Sequence, residues 1–478
     1  MESGMDAAAA IIETSKRQSA RHYASLLICI LGPLLFWLSP LPIDAAVKHT
    51  LAVTLFMVLA WITEVIDHAI AGLIGCFLFW ALGIVRFDVA FSGFANDTTW
   101  FLFGATLMGA MASKSGLAKR LAYQVMLRVG TTYPRLLLGM IATDFLLTLI
   151  VPSGIARIVI MGAVALGLVE ALKFPVGSNG ARGIFLIITY TAALFDKMII
   201  AGASSITARG LIERIGGVDV QWSQWFIAFL PCHILTVLAA WWLTLWLFPL
   251  EKSETASGQT YLEGELQKLG PLSTPELKTA LLLGAATLLW ITDFLHHISS
   301  AKIGLGIGLA SLLPLIGVLR SDDLKKVNIL PVFFVAAALS MAQVLVTTKS
   351  LDLLTTVAFG WIAPLITNYF LATVVLYWAA FFYHMLLSSD IAMLGTSMPP
   401  LMTFAKTNGL SPLILGMIWV FGSAGKIFVY QSAVLIVGYS FGYFKSRDLL
   451  RLGILLTLVE FVAILLIVPF YWPLIGVR

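Results

Sequence analysis

Apolar residues run along this chain in stretches near the length of a membrane crossing, and the polar positions between them are few. Leu51–Ile66, Trp225–Leu250, Tyr369–Phe382 and Leu452–Pro469 are examples. A helix that crosses the hydrocarbon core needs about 20 apolar residues, and roughly ten or eleven such segments recur from end to end. Some are short enough to need pairing in hairpins. The pattern predicts an all-α polytopic membrane protein.

Two places interrupt the apolar pattern in the same way. LIVPSGIARIVIMG (Leu149–Gly162) puts Pro-Ser-Gly and Arg157 in hydrocarbon, and MLLSSDIAMLGTSMPP (Met385–Pro400) echoes it 236 residues later. Upstream lie WFLFGATLMGAMASKSGLAKRLA and VFFVAAALSMAQVLVTTKSLDLL, each with a Lys-Ser turn. Downstream lie FDKMIIAGASSITARG and FGSAGKIFVYQSA, Gly/Ser-rich interruptions that each carry one lysine. Backbone left unpaired within a bilayer must be buried in protein or line a cavity. Pro152-Ser153-Gly154 and Ser388-Ser389-Asp390 are therefore expected to be the tips of two re-entrant hairpins that meet at a wet cavity.

Between the halves, EKSETASGQTYLEGELQKLGPLSTPELK (Glu251–Lys278) is polar and mixed in charge. It reads as a linker with a short amphipathic helix. The expected organisation is a polar N-terminal arm over 1–25, a first helix plus first repeat over 26–250, the linker over 251–278 and a second repeat over 279–478. The arm carries Lys16, Arg17 and Arg21 without a cleavage site after an apolar core, so it is expected to be retained rather than removed as a signal peptide.

Charge adds orientation. Met111–Arg135 contains Lys114, Lys119, Arg120, Arg128 and Arg135 with no acid, which places that loop and the N-terminus in the cytoplasm by the positive-inside rule. The loop of Lys445, Arg447 and Arg451 should face the same way. The counterpart around Lys349 also carries Asp352 and lacks the excess, so the two repeats should be inverted. Inverted repeats with paired interruptions point to a secondary transporter whose site lies near the midplane.

Composition narrows the classes further. Only 12% of the residues are charged and 59% are hydrophobic, against about 25% charged in a soluble domain. The net charge of +5 is spread over short loops and suggests no nucleic-acid partner. Cys29, Cys76 and Cys232 sit in apolar segments and read as buried small hydrophobes. Asp293, His296 and His297 lack a fourth metal ligand and read as interface groups, as do Glu64, Asp67 and His68. No Walker, Gly-x-Ser-x-Gly or His-Glu-x-x-His sequence occurs, so neither ATP-driven transport nor an enzyme is indicated.

An ionisable residue inside a membrane segment costs roughly 2.5–3.5 kcal/mol on insertion scales and is a functional candidate. Asp196, Lys197 and Lys426 qualify. A self-neutralising Asp196–Lys197 pair or snorkelling to the interface is the alternative for the first two. Lysines in both interruptions, with Asp390 opposite the second, favour function.

FSGFANDTTWFLFGATLMGAMASKSGLAKRLA (Phe91–Ala122) resembles the matching stretch of the divalent anion–sodium symporters, the carboxylate and sulfate carriers. PSGIAR falls where that family has Pro-Ser-Asn-Thr-Ala-Arg, and SSDIA where its second Ser-Asn-Thr lies. Val220–Ile234 and Tyr439–Gly453 also resemble family segments. The resemblance implies about eleven transmembrane helices in two inverted repeats, each with a re-entrant hairpin and an interrupted helix. It also implies a homodimer and elevator-type movement. In the family each motif's serine and asparagine help bind sodium, and its threonine helps hold a substrate carboxylate. Here the serines remain as Ser153 and Ser389, Gly154 and Asp390 replace the asparagines, and Ile155 and Ile391 replace the threonines. Isoleucine cannot donate a hydrogen bond.

The expected function is secondary transport of a small organic or inorganic anion, foremost a di- or tricarboxylate, across a bacterial inner membrane. The candidate substrate site is Ser153, Gly154, Ile155, Lys197, Ser389, Asp390, Ile391 and Lys426, supported by Arg157, Asp196, Ser204 and Ser423. Lys197 and Lys426 are expected to stand in for sodium ions, leaving a proton-coupled or exchange mechanism. In the alternative, sodium coupling is retained through Ser153, Ser389 and Asp390. An anion channel is the third reading. No cofactor beyond sodium or a proton is implied.

Overall fold

The computed structural model describes residues 22–477 apart from 152, 201, 251–255, 367 and 388. The tip residues Pro152 and Ser388, most of the N-terminal arm and the start of the linker thus lie outside the described residues. Those described form helices and no strand. Among the described residues, seven helices are long and apolar enough to cross a membrane, and six further apolar helices have 10–17 residues.

The order of elements repeats along the chain. The first set runs Ala45–Thr63, His68–Ala81, Asp97–Ser115, Leu117–Val129, Tyr133–Ile150, Gly154–Ala171, the broken pair Asn179–Met198 and Ala203–Leu211, then Trp222–Leu247. The second runs Thr274–Ile291, Ser300–Ala310, Leu330–Thr347, Ser350–Phe359, Tyr369–Met385, Asp390–Thr407, the broken pair Pro412–Gly422 and Ala433–Ser440, then Ser446–Leu466. Side-chain caps recur at matching places: Asp44 and Ser273, Asp67 and Ser299, Ser153 and Ser389, Ser178 and Ser411. Each accepts from a backbone N–H that the first helical turn leaves without a partner.

The chain divides into two units, residues 1–95 with 333–354 and residues 96–332 with 355–478. In the first, Leu330–Thr347 packs on the helices Ala45–Thr63 and His68–Ala81. Phe334 meets the Trp61 ring edge-on, a methyl group on Gly72 would overlap Ala337, and Gly93 N donates to Ser340 Oγ at 2.9 Å. In the second unit the halves exchange roles. Phe101 meets Trp290, Gly104 lies against the Gly304 and Gly308 backbone, and none of the three glycines could carry a side chain there. Each tryptophan donates to the first residue of the following helix, Trp61 to His68 O at 3.0 Å and Trp290 to Ser300 O at 3.2 Å. Each unit thus seats a helix of one half in a groove made by the other half's matching helices. Such close helix approach through small residues is how packing replaces hydrophobic drive within lipid.

The polar segment between the halves contains the helix Ala256–Lys268, and the next long helix begins at Thr274. Arg120 of the basic Leu117–Val129 helix is buried against this segment. It bonds Glu276 Oε1 at 2.7 Å and Oε2 at 3.1 Å, with Gly270, Leu269 and Pro271 carbonyls completing its shell. Nearby, the Lys114 ammonium bonds Asp323 Oδ2 at 2.6 Å and holds that loop carboxyl below the usual carboxylate range. Asp293 accepts from Trp222 N at 2.7 Å, and His296 Nε2 meets Leu289 O at 2.9 Å. All three cysteines are buried and free.

Candidate functional site

Both hairpins turn at a serine that starts a helix. Ser153 Oγ accepts from Ala156 N at 3.3 Å and Ser389 Oγ from Ala392 N at 3.5 Å. Gly154 and Asp390 therefore take the first helical position, and Ile155 and Ile391 the second. Helix N-termini carry unpaired N–H groups and the positive end of the helix dipole. A side chain at Gly154 would crowd Val434 and Asp196. Without one, Gly154 N donates to Asp196 Oδ1 at 3.0 Å. Ile155 is exposed and Ile391 half-buried.

The second tip gathers cations. Lys426 Nζ donates to Asp390 Oδ1 at 2.8 Å and to Oδ2 at 2.6 Å. Lys197 Nζ lies 2.9 Å from Asp390 Oδ1 and donates to Ser423 Oγ at 2.6 Å. Both lysines are buried, at 1% and 2% exposure, while the Asp390 side chain keeps 15%. His384 Nε2 adds a contact 3.5 Å from Asp390 Oδ1. Asp196 and Lys197 do not form the self-contained pair weighed above. Asp196 serves the first tip, with Ser204 Oγ at 3.5 Å and Arg157 Nη1 at 4.0 Å, and Lys197 serves the second.

Arg157 is committed to the hairpin itself. Its Nε donates to Asp144 Oδ1 at 3.1 Å, Nη1 to Val151 O at 3.2 Å and Nη2 to Ala192 O at 2.8 Å. The broken backbone is satisfied by side chains. Ser205 Oγ lies within reach of the Asp196, Ile199 and Gly202 carbonyls, and Trp225 Nε1 donates to Lys197 O. In the second interruption, Gln431 Oε1 accepts from Ile427 N and Phe428 N, both at 2.8 Å, and Tyr190 donates to Lys426 O. Irregular backbone at membrane depth persists because these groups replace the helical partners.

Three buried bases, Arg157, Lys197 and Lys426, thus accompany four acids, Asp144, Asp196, Asp390 and Glu460. Asp144 and Glu460 escaped the sequence reading, although each interrupts an apolar run (MIATDFLL and LTLVEFVA). The rule that flagged Lys197 flags them equally. His384 and His233, both buried within apolar helices, were missed as well.

Oxygen donors for a cation remain in the tip serines and carbonyls, but both Asp390 oxygens already hold ammonium groups. A sodium ion sharing that carboxylate would face two fixed positive charges within a few ångströms, so the residues at the second tip do not fit one. Among the described residues, no group of three or more His, Cys, Asp or Glu could hold a metal ion.

A family model described as the sodium:sulfate symporter transmembrane region matches residues 20–477. The chain belongs to the sodium:sulfate symporter family. A membrane protein of Cupriavidus necator is 26% identical to it, covering 95% of this chain and 91% of its own length. The citrate/succinate antiporter of Escherichia coli K12 is 24% identical over 80% of each chain, and the L-tartrate/succinate antiporter of the same strain is 25% identical over 80% of each. As a member of the sodium:sulfate symporter family the chain is an integral membrane transporter and not an enzyme.

Proposed function

We propose that this transporter carries a small di- or tricarboxylate across the bacterial inner membrane without sodium, by proton-coupled symport or by exchange. Lys197 and Lys426 act as built-in replacements for the coupling ions. The observation that carries this reading is the buried Lys197–Asp390–Lys426 cluster at the second hairpin tip. Two ammoniums against one carboxylate leave that tip with one surplus positive charge, which a sodium ion would otherwise supply. An ammonium has three N–H donors, so it can hold Asp390 and still offer a hydrogen to a substrate oxygen. Ser153 and Ser389, at the starts of two helices, can donate to the same anion, and the helix ends favour it. The relatives named as citrate/succinate and tartrate/succinate antiporters support both the substrate class and exchange.

In this reading the repeats are inverted, the N-terminus faces the cytoplasm and the protein works as a homodimer. The hairpins and broken helices move together in an elevator-type cycle. Proteoliposomes loaded with unlabelled succinate should take up labelled succinate faster than empty ones. Single-channel currents without such stimulation would replace the carrier reading with a channel.

A further inference from the structure

Glu460 lies in the middle of the apolar Ser446–Leu466 helix, is 2% exposed, and none of the interactions above uses it. Its Oε1 has no hydrogen-bond partner among the described residues. One turn away the Tyr377 hydroxyl donates to Thr457 O at 3.0 Å, and a phenol has only one hydrogen to donate. A buried carboxylate left without a donor or a counter-charge is costly, and a proton on Glu460 removes that charge.

The groups around it explain what the proton could do. Asn179–Met198 brings Lys197 and Tyr190, and the second interruption brings Lys426. Trp222–Leu247 brings Cys232, followed by His233, whose Nδ1 faces Phe229 O at 2.9 Å. Tyr369–Met385 brings Tyr377, and on the acid's own helix Thr457 O accepts the tyrosine's hydrogen bond. The acid's helix packs on the second interruption: a methyl group on Gly453 would overlap Lys426 O, and one on Gly425 would crowd Thr457. The two lysines are the ones that hold Asp390. A buried carboxylate needs a partner charge. Ionised Glu460 would therefore compete with Asp390 for the two lysines, and protonated Glu460 would leave them to the hairpin tip.

We propose that Glu460 is the proton-binding residue of this transporter, coupling proton movement to the state of the second hairpin tip. A proton from water on the acidic side binds a Glu460 carboxyl oxygen, travels with the substrate-loaded carrier and is released to water on the other side. This rests on the sodium-independent reading above and assigns its coupling ion a residue.

The test has two arms, both on the full-length protein. Infrared difference spectra of purified, substrate-free protein should show the C=O stretch of an undissociated carboxylic acid, absent from Glu460→Gln. With the membrane potential clamped, coupling of one proton per substrate raises the accumulation ratio of wild type about tenfold for each pH unit of inward acid gradient. That dependence should vanish in Glu460→Gln. If the variant cannot be purified, Glu460→Asp should keep an acid band at a shifted frequency, because the shorter side chain moves the carboxyl. Absence of the band, a band unmoved by Glu460→Asp, or an undiminished gradient response in Glu460→Gln would each overturn the proposal. The infrared arm needs no transported substrate, so failure to find one would count against the carrier reading alone.

Discussion

Asp196 and Lys197 are neighbours in the sequence and serve different hairpins: Asp196 Oδ1 accepts from Gly154 N at 3.0 Å, while Lys197 Nζ lies 2.9 Å from Asp390 Oδ1. One broken helix end therefore holds both tips. The two contacts are made by consecutive residues.

Removing one partner of a buried ion pair leaves a bare charge and typically costs about 3–5 kcal/mol. Lys197→Met and Asp390→Leu should each destabilise the protein by that order and abolish uptake. Asp196→Asn keeps an oxygen acceptor for Gly154 N and should be milder than Asp196→Leu. Thermal unfolding in detergent, read beside uptake, ranks them.

The serines cap helices as well as marking the hairpin tips. Loss of an N-cap costs about 0.5–2 kcal/mol, so Ser153→Ala and Ser389→Ala should lower stability modestly, with uptake reduced. Ser389→Leu should express and carry nothing. Normal uptake by the leucine variant would remove Ser389 from the site.

Trp61 and Trp290 occupy matching places in the two units, so Trp61→Ala and Trp290→Ala should cost similar amounts, about 3–5 kcal/mol each. Gly104→Leu should be worse than a leucine at Gly306, which has open space around it. Melting temperatures of the four variants check the symmetry.

How much of this was legible in the sequence differs by feature. The hairpins and broken helices announced themselves, because polar residues and lysines inside hydrocarbon are costly and rare. Asp144 and Glu460 carry the same signal, but neither lies in the polar segments that recur between the halves. The repeat also reaches further back than the lysine-bearing segments suggest. WITEVIDH (Trp61–His68) and WITDFLHH (Trp290–His297) share Trp-Ile-Thr followed by an acid, and the structure gives both tryptophans the same bond. What no pattern reveals is partner choice. Periodicity places Asp196 and Lys197 on a helix end, but only the folded hairpins decide that they separate.

Orientation can be tested with cysteines at exposed positions. Position 119 suits this better than 120, because Arg120 is buried against Glu276. In intact cells, a membrane-impermeant thiol reagent should modify Lys349→Cys and spare Lys119→Cys. The reverse pattern would overturn the expected topology.

The central claim is that two fixed ammoniums do the work of the coupling sodium ions. Initial uptake of labelled succinate into proteoliposomes should be measured while sodium replaces choline at constant ionic strength and pH. The account predicts a rate that stays flat from sodium-free buffer upward. A rate near zero in choline that rises cooperatively with sodium would contradict it.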